Sequence, residues 1–201
     1  MSEFFEINLN DLIEELGEDR AKSILSDFSC PINKDVETFL KHKSIEFAKR
    51  GFAATHLIFW KAGDEKELIG YYAISTKSFE ISKDAVSNRC AKKLAAFGKY
   101  NAHLKSYLIS APLIGQLGKN FIRGNDTLIS GDELLKMAID KIKSIQRESG
   151  GRYTYLECED KPKLIQFYER NGFQKFGNRK LDRDEVDLDG QYLVQLMKYI
   201  G

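Results

Sequence analysis

The chain has 201 residues, 42% of them hydrophobic and 30% charged, with three prolines and a formal net charge of +1. A chain of this length buries roughly 70% of its unfolded surface in one core, so a single soluble globular domain over residues 1–201 is expected, without a linker or second domain. No run approaches membrane-spanning length, and Met1-Ser2-Glu3-Phe4 lacks the basic start and apolar centre of a signal peptide, so a cytoplasmic protein with no membrane partner is expected. Cys30, Cys90 and Cys158 stand far apart without metal-ligand spacing, which favours reduced thiols over a disulfide frame or a zinc site, and no metal is expected. His42, His56 and His103 form no pattern.

In chain order, Phe4 to Leu9 predicts a first strand, and Leu12, Ile13, Leu16, Ala21, Ile24 and Leu25 a broken amphipathic helix. Asp27-Phe28-Ser29-Cys30-Pro31 is a break. Asn33 caps the next helix, whose Val36, Phe39, Leu40, Ile45, Phe47 and Ala48 give an apolar face that Arg50-Gly51 ends. Thr55 to Trp60 and Glu67 to Ser75 read as two strands of a hairpin turning at Gly63-Asp64-Glu65-Lys66. A variable connection from Lys83 to Lys105, with a helix over Ser87 to Phe97, leads to the strand Leu108 to Ile114, whose far end Gly115 and Gly118 interrupt. A polar loop with Arg123-Gly124 follows. Ser130-Gly131-Asp132-Glu133 is a capping box, in which the Ser130 hydroxyl and the Glu133 carboxylate satisfy each other's orphan N–H groups. It opens a long helix through Leu134, Leu135, Ala138, Ile139, Ile142 and Ile145 that Ser149-Gly150-Gly151 stops. Tyr153 to Cys158 reads as a strand, Lys163 to Arg170 as a short helix ended by Asn171-Gly172, and Phe173 to Phe176 as a strand. Asn178 to Gly190 is a charged loop, and Tyr192 to Ile200 closes the sheet.

Strand, loop and capped helix from Tyr107 to Ser149 make an anion site by construction: N–H groups at a helix start and the positive end of its dipole suit a pyrophosphate. Asp132 and Glu133 would repel that anion unless they point away, and the capping box gives Glu133 such a direction. Arg123 is the cation that offsets the remaining charge, and Ser130 either caps or touches phosphate. Charge is also uneven along the chain. Met1 to Asp19 holds seven carboxylates and no Lys or Arg, whereas Ala85 to Asn125 carries Arg89, Lys92, Lys93, Lys99, Lys105, Lys119 and Arg123 with no Asp or Glu. The band reads either as a solvated face with counter-charges for a polyanionic cofactor or as a nucleic-acid surface.

Leu164-Ile165-Gln166-Phe167-Tyr168-Glu169-Arg170-Asn171-Gly172-Phe173 resembles the hallmark of the GNAT superfamily of N-acetyltransferases, an aromatic-Tyr pair followed after three residues by Gly-Phe. Ile69-Gly70-Tyr71-Tyr72 resembles that superfamily's third strand, and Lys119 to Leu135 its acetyl-CoA loop, degenerate and about two residues longer. Phe28, Cys30, Val36 to Leu40, Gly51 and Thr55 resemble the front end of the branch of bacterial toxins that acetylate aminoacyl-tRNA, though the same residues also suit core and cap positions.

The resemblance implies an α/β (α+β) GNAT fold: a mixed central sheet of about six to seven strands flanked by helices, with central strands splayed into an acetyl-CoA groove. It implies acetyl-CoA as cofactor, bound by Leu117, Gly118, Lys119, Arg123, Gly124, Ser130, Gly131 and Asp132. It places Tyr168 as the acid that protonates the departing thiolate, and an oxyanion donor within Leu117-Gly118-Lys119. Glu157, or Glu159 beside it, is the candidate base; both also read as solvent-facing carboxylates, and Tyr168 also reads as a core aromatic. The function implied is acetyl transfer to a primary amine of a small molecule or protein by direct attack in a ternary complex. The alternatives are a toxin-like enzyme acting on the α-amine of aminoacyl-tRNA and a non-catalytic CoA-binding module. Partners are then an amine acceptor of open identity, with tRNA and a second copy of the chain as candidates.

Overall fold

The computed structural model describes residues 3–182 and 190–201; Met1, Ser2 and residues 183–189 of the expected charged loop lie outside the described residues. Two compact units form, one from Met1–Ser75 with Gly115–Ala138 and the other from Thr76–Ile114 with Ile139–Gly201.

In the first unit, strand β1 (Glu3–Asn8) pairs antiparallel with β2 (Ala54–Ala62), and β2 with β3, which spans Glu65–Ser82. The hairpin between β2 and β3 is tighter than expected, because Gly63 takes a φ of 62° and lets the chain reverse within two residues. Helices α1 (Leu9–Leu16) and α2 (Glu18–Ser26) are the expected broken helix, and the break is Gly17 at φ 81°. Asn33 caps α3 (Lys34–Thr38) by accepting from the Val36 amide at 3.2 Å. A π-turn over Phe39–Lys43 then leads into α4 (Ser44–Lys49). Phe28, Cys30, Val36, Phe39, Leu40 and Tyr71 are buried together in one core.

The second unit holds the end of β3, helix α5 (Asn88–Ala95), β4 (Gly98–Asn101) and the start of β5 (Ser106–Lys119). It also holds the second half of α6 (Gly131–Ser149), β6 (Tyr153–Cys158), α7 (Pro162–Arg170), β7 (Gln174–Lys180) and β8 (Tyr192–Tyr199). Strand β4, which the sequence reading placed in a loop, pairs with the start of β5 from Gly98↔Ile109 to Asn101↔Ser106. The register of β5 with β6 is parallel and confined to Leu113↔Tyr155 and Ile114↔Leu156, as strands that splay require. β8 lies between β6 and β7, antiparallel to both. The strand order is therefore β1-β2-β3-β5-β6-β8-β7 with β4 beside β5, the mixed, helix-flanked sheet that the sequence implied.

One expectation is corrected: Gly115 and Gly118 do not interrupt the central strand, since β5 runs through both to Lys119. At Gly118 the reason is packing, because a Cβ there would stand 2.3 Å from Cγ1 of Val36 and 3.5 Å from the rings of Phe28 and Tyr71.

Asn120 follows β5 directly and is buried. Its side-chain amide donates to the carbonyls of Asp27 and Leu68, each at 2.8 Å, and its oxygen accepts from the amides of Ser29 at 2.9 Å and Ile122 at 3.1 Å. Asn120→Ala leaves those groups unmatched in a buried place, and we expect a loss of about 3 kcal/mol, a fall in melting midpoint of roughly 6–12 °C. The opposite sign is expected at Thr55, whose hydroxyl is the one sealed side-chain atom without a partner among the described residues. Thr55→Val should stabilise by about 1 kcal/mol in urea unfolding.

Candidate functional site

The expected donor loop belongs to the first unit. After Asn120 the chain makes a tight turn over Ile122–Thr127 in which Arg123 (φ 55°) and Gly124 (φ 79°) both adopt the left-handed conformation. Arg123 stands out at this step, since a side chain in that region costs about 1 kcal/mol or more and persists only where the surroundings hold it. The holding groups are Asn120, the buried Asn125, whose amide reaches Glu67 Oε2 at 3.3 Å, and the Thr127 hydroxyl, which donates to the Gly124 carbonyl at 2.8 Å. The Arg123 guanidinium is 71% exposed and touches Glu67 at 3.5 Å. The Lys119 ammonium donates to the Asp126 carbonyl at 2.7 Å and closes the loop on itself.

The capping box forms as expected. The Ser130 hydroxyl accepts from the Glu133 amide at 3.1 Å, and Glu133 Oε2 accepts from the Ser130 amide at 2.8 Å. These bonds from Ser130 hold the Glu133 carboxyl below its ordinary value. They also draw its negative charge back over Ser130, which removes half of the electrostatic objection to an anion here. The helix's own ladder begins with the Leu134 amide on the Ser130 carbonyl at 3.1 Å, so the Gly131 and Asp132 amides lie ahead of it. An exposed cation and a capped helix start fit a pyrophosphate; Asp132 remains exposed at the same turn.

Leu117 and Gly118 lie in β5, and the residue preceding them is the informative one. Gln116 donates to Asp35 at 2.8 Å and its side-chain oxygen lies 3.4 Å from the Tyr71 hydroxyl, which donates to the Val36 carbonyl at 2.6 Å. Sequence reasoning missed this clamp because its members are far apart along the chain.

Tyr168 and Glu157 belong to the second unit. Helix α7 ends in a Schellman motif: the Gly172 amide reaches the Glu169 carbonyl at 2.9 Å and the Phe173 amide the Tyr168 carbonyl at 3.1 Å, with Gly172 at φ 83°. Its usual hydrophobic contact is here Phe173 against Tyr168, edge to face at 5.9 Å. The Tyr-x-x-x-Gly-Phe spacing is therefore a helix stop that fixes the tyrosine on the last turn. Tyr168 is buried, and among the described residues its hydroxyl makes no hydrogen bond. Burial pushes the phenol well above its ordinary value, with the nearby Cys158 adding to the shift. Burial likewise raises the Cys158 thiol, to about 12.

Glu157 is not a free carboxylate. Its Oε2 accepts from Arg179 Nε and its Oε1 from Gln195 Nε2, both at 2.8 Å. Each oxygen keeps a second lone pair, so it can still accept a proton. Glu159 is buried and salt-bridged to Lys161 at 2.9 Å. Among the described residues no group of three or more His, Cys, Asp or Glu side chains could hold a metal, and no helix is long and apolar enough to cross a membrane.

No family model matches the sequence, and no curated protein does. Solved structures do match. A tyrosine-to-phenylalanine variant of the AtaT toxin aligns over 98% of this chain and 89% of its own at 17% identity and a TM-score of 0.62. AtaT complexed with acetyl-methionyl-tRNAfMet aligns over 96% and 94% at 16% identity and 0.60. A tyrosine-to-phenylalanine variant of KacT aligns over 96% and 94% at 15% identity and 0.62. The chain thus has the fold of the AtaT toxin and of KacT.

Gly118 gives a test that separates packing from chemistry. Gly118→Ala should cost about 1–3 kcal/mol of stability, and adding Val36→Ala should recover most of it by removing the methyl that the new Cβ meets. Equilibrium unfolding of the single and double variants measures both.

Proposed function

We propose that the chain is one GNAT-type domain that moves an acetyl group from acetyl-CoA to the α-amine of an aminoacyl-tRNA, by direct attack in a ternary complex. The observation that carries this reading is the alignment over 96% of the chain with AtaT complexed with acetyl-methionyl-tRNAfMet; AtaTR bound with AcCoA also aligns, over 98% of the chain with a TM-score of 0.57. When bound, acetyl-CoA supplies the activated acetyl group. Arg123, Gly124 and the amides ahead of the α6 ladder at Gly131 and Asp132 hold its pyrophosphate end, with Ser130 retained as cap. Leu117, Gly118 and Lys119 offer backbone N–H groups from β5. Lys119 does so with its ammonium already engaged on the loop.

Tyr168 holds a proton on its hydroxyl oxygen and releases it as the general acid. The same burial that raises the phenol keeps it protonated across the working range. Glu157 receives the proton of the attacking amine through water, while Arg179 and Gln195 fix its orientation. An amine on a small molecule or protein is the competing acceptor, and the test below decides between them.

Tyr168→Phe should retain the fold and acetyl-CoA binding while thiol release, under saturating donor and charged tRNA, falls by about 10²- to 10⁴-fold. The wild-type rate should show no alkaline loss from this group below pH ~10, because its pKa lies above that of an ordinary tyrosine. At a hundredfold excess over its dissociation constant, acetyl-CoA should add ~2.7 kcal/mol, a midpoint rise of roughly 5–10 °C. An unchanged melting curve removes the transferase reading. Efficient acetylation of small amines with none of charged tRNA reassigns the acceptor.

A further inference from the structure

A cavity of about 380 Å³ opens in the second unit, lined by Ser87, Arg89, Cys90 and Lys93 from α5 and its cap, and by Tyr153 and Tyr199 among others. Gly172, Gln174 and Met197 complete its wall. Its size falls in the range of small-molecule pockets. Among the described residues no carboxylate lines it, and neither Arg89 nor Lys93 forms an ion pair. Lys92 and Lys99, exposed on α5 and β4, are likewise without an ion pair among the described residues. That sets these cations apart from Lys119 and Arg123, which the donor loop already engages.

The second ingredient is aromatic. Tyr199 ends β8 and is 42% exposed, its ring meets that of Tyr153 edge-on at 5.4 Å, and the Lys93 ammonium lies 4.4 Å from its centroid. A partly exposed ring beside two cations that meet no carboxylate among the described residues matches the two halves of a nucleotide: a base for the ring, a phosphate for Arg89 and Lys93. An acidic peptide would use the cations but not the exposed ring.

We propose that this pocket holds an unpaired nucleotide of an RNA strand, as a subsite separate from the reacting groups. It deepens the reading of tRNA as acceptor and rests on it. Tyr153 begins β6 and Glu157 stands four residues further along, roughly 13 Å at the rise of a strand. Gly172, in the pocket wall, is also the residue that stops α7 one turn after Tyr168. A strand seated here runs past the helix that carries the acid.

Cys90 provides a direct readout, because it lines the pocket and is the half-exposed thiol of the three, Cys30 and Cys158 being buried. Burial raises its pKa, so alkylation by N-ethylmaleimide is followed at mildly alkaline pH with each cysteine resolved by peptide mass. A saturating fluorescein-labelled single-stranded RNA should slow Cys90 modification at least fivefold and leave the buried cysteines unchanged. Arg89→Ala and Lys93→Ala should each weaken RNA binding about tenfold at low salt and reduce the slope of log affinity against log salt by about 0.7. Tyr199→Ala should weaken it by about five- to hundredfold, with Tyr199→Phe restoring it. RNA binding with a steep salt slope but no protection of Cys90 overturns the pocket and leaves the acceptor reading standing. Absence of any RNA binding overturns both. Polyglutamate or adenosine monophosphate protecting Cys90 as well as the strand does reassigns the pocket to acidic peptide or free nucleotide, and also overturns the proposal.

Discussion

The first unit depends on one buried amide. Asn120 joins three stretches distant in sequence: the bend at Asp27 and Ser29, the start of β3 at Leu68, and the loop at Ile122. Its own backbone amide adds a bond to the Ile69 carbonyl at 2.8 Å. Those groups follow the end of a helix, adjoin the register shift in the β2–β3 pairing or turn a loop, and a side-chain amide carrying both donors and acceptors satisfies them together. The consequence is that the loop after β5 leaves from a fixed point. Arg123 can then be held in a left-handed conformation that a loose loop would relax, and its guanidinium is kept outward.

A different device fixes Tyr168. The α7 stop uses Gly172 for the left-handed turn and Phe173 for the hydrophobic contact, so the residue five positions before Phe173 is pinned at its backbone carbonyl and at its ring. For the acid role proposed for Tyr168 such pinning matters, since proton transfer requires reach before it requires a suitable pKa. The same burial that pins the ring removes water from the phenol. Geometry and protonation state therefore follow from one packing arrangement.

Much of this was legible in the sequence where the signal is local. The capping box at Ser130 and Glu133, the Asn33 cap, the helix stop at Gly172 and the strand Tyr153–Cys158 all depend on residues within a few positions of each other. Strand β4 was not legible, because Gly98-Lys99-Tyr100-Asn101 has no alternating apolar pattern and becomes a strand by pairing with β5. Gly118 was read as a strand break although its small size answers to Val36, eighty-two positions away in sequence. His56 showed no pattern for the same reason. Its Nδ1 lies 3.0 Å from Glu6, which also accepts from the Tyr72 hydroxyl, and these partners come from three strands. Asn120, Gln116 and the Glu157 pair with Arg179 belong to the same class of long-range contact.

The acid-free run from Ala85 to Asn125 shows why a charge count is a weak guide to a surface. Along the chain its cations look alike, but folding sorts them by what they meet. Lys119 is spent on a carbonyl of its own loop, and Arg123 faces Glu67. Arg89, Lys92, Lys93 and Lys99 meet no carboxylate among the described residues. Such a set repels itself, which costs stability at low ionic strength and is relieved by salt or by a bound polyanion. Surface repulsion of this kind is tolerated cheaply if the protein spends its working life with an anion against that face. The cations on α5 and β4 that meet no carboxylate among the described residues, rather than the whole run, are the physical counterpart of the basic band, and in the pocket proposed above the exposed ring of Tyr199 beside Lys93 favours an anion that also carries a flat base.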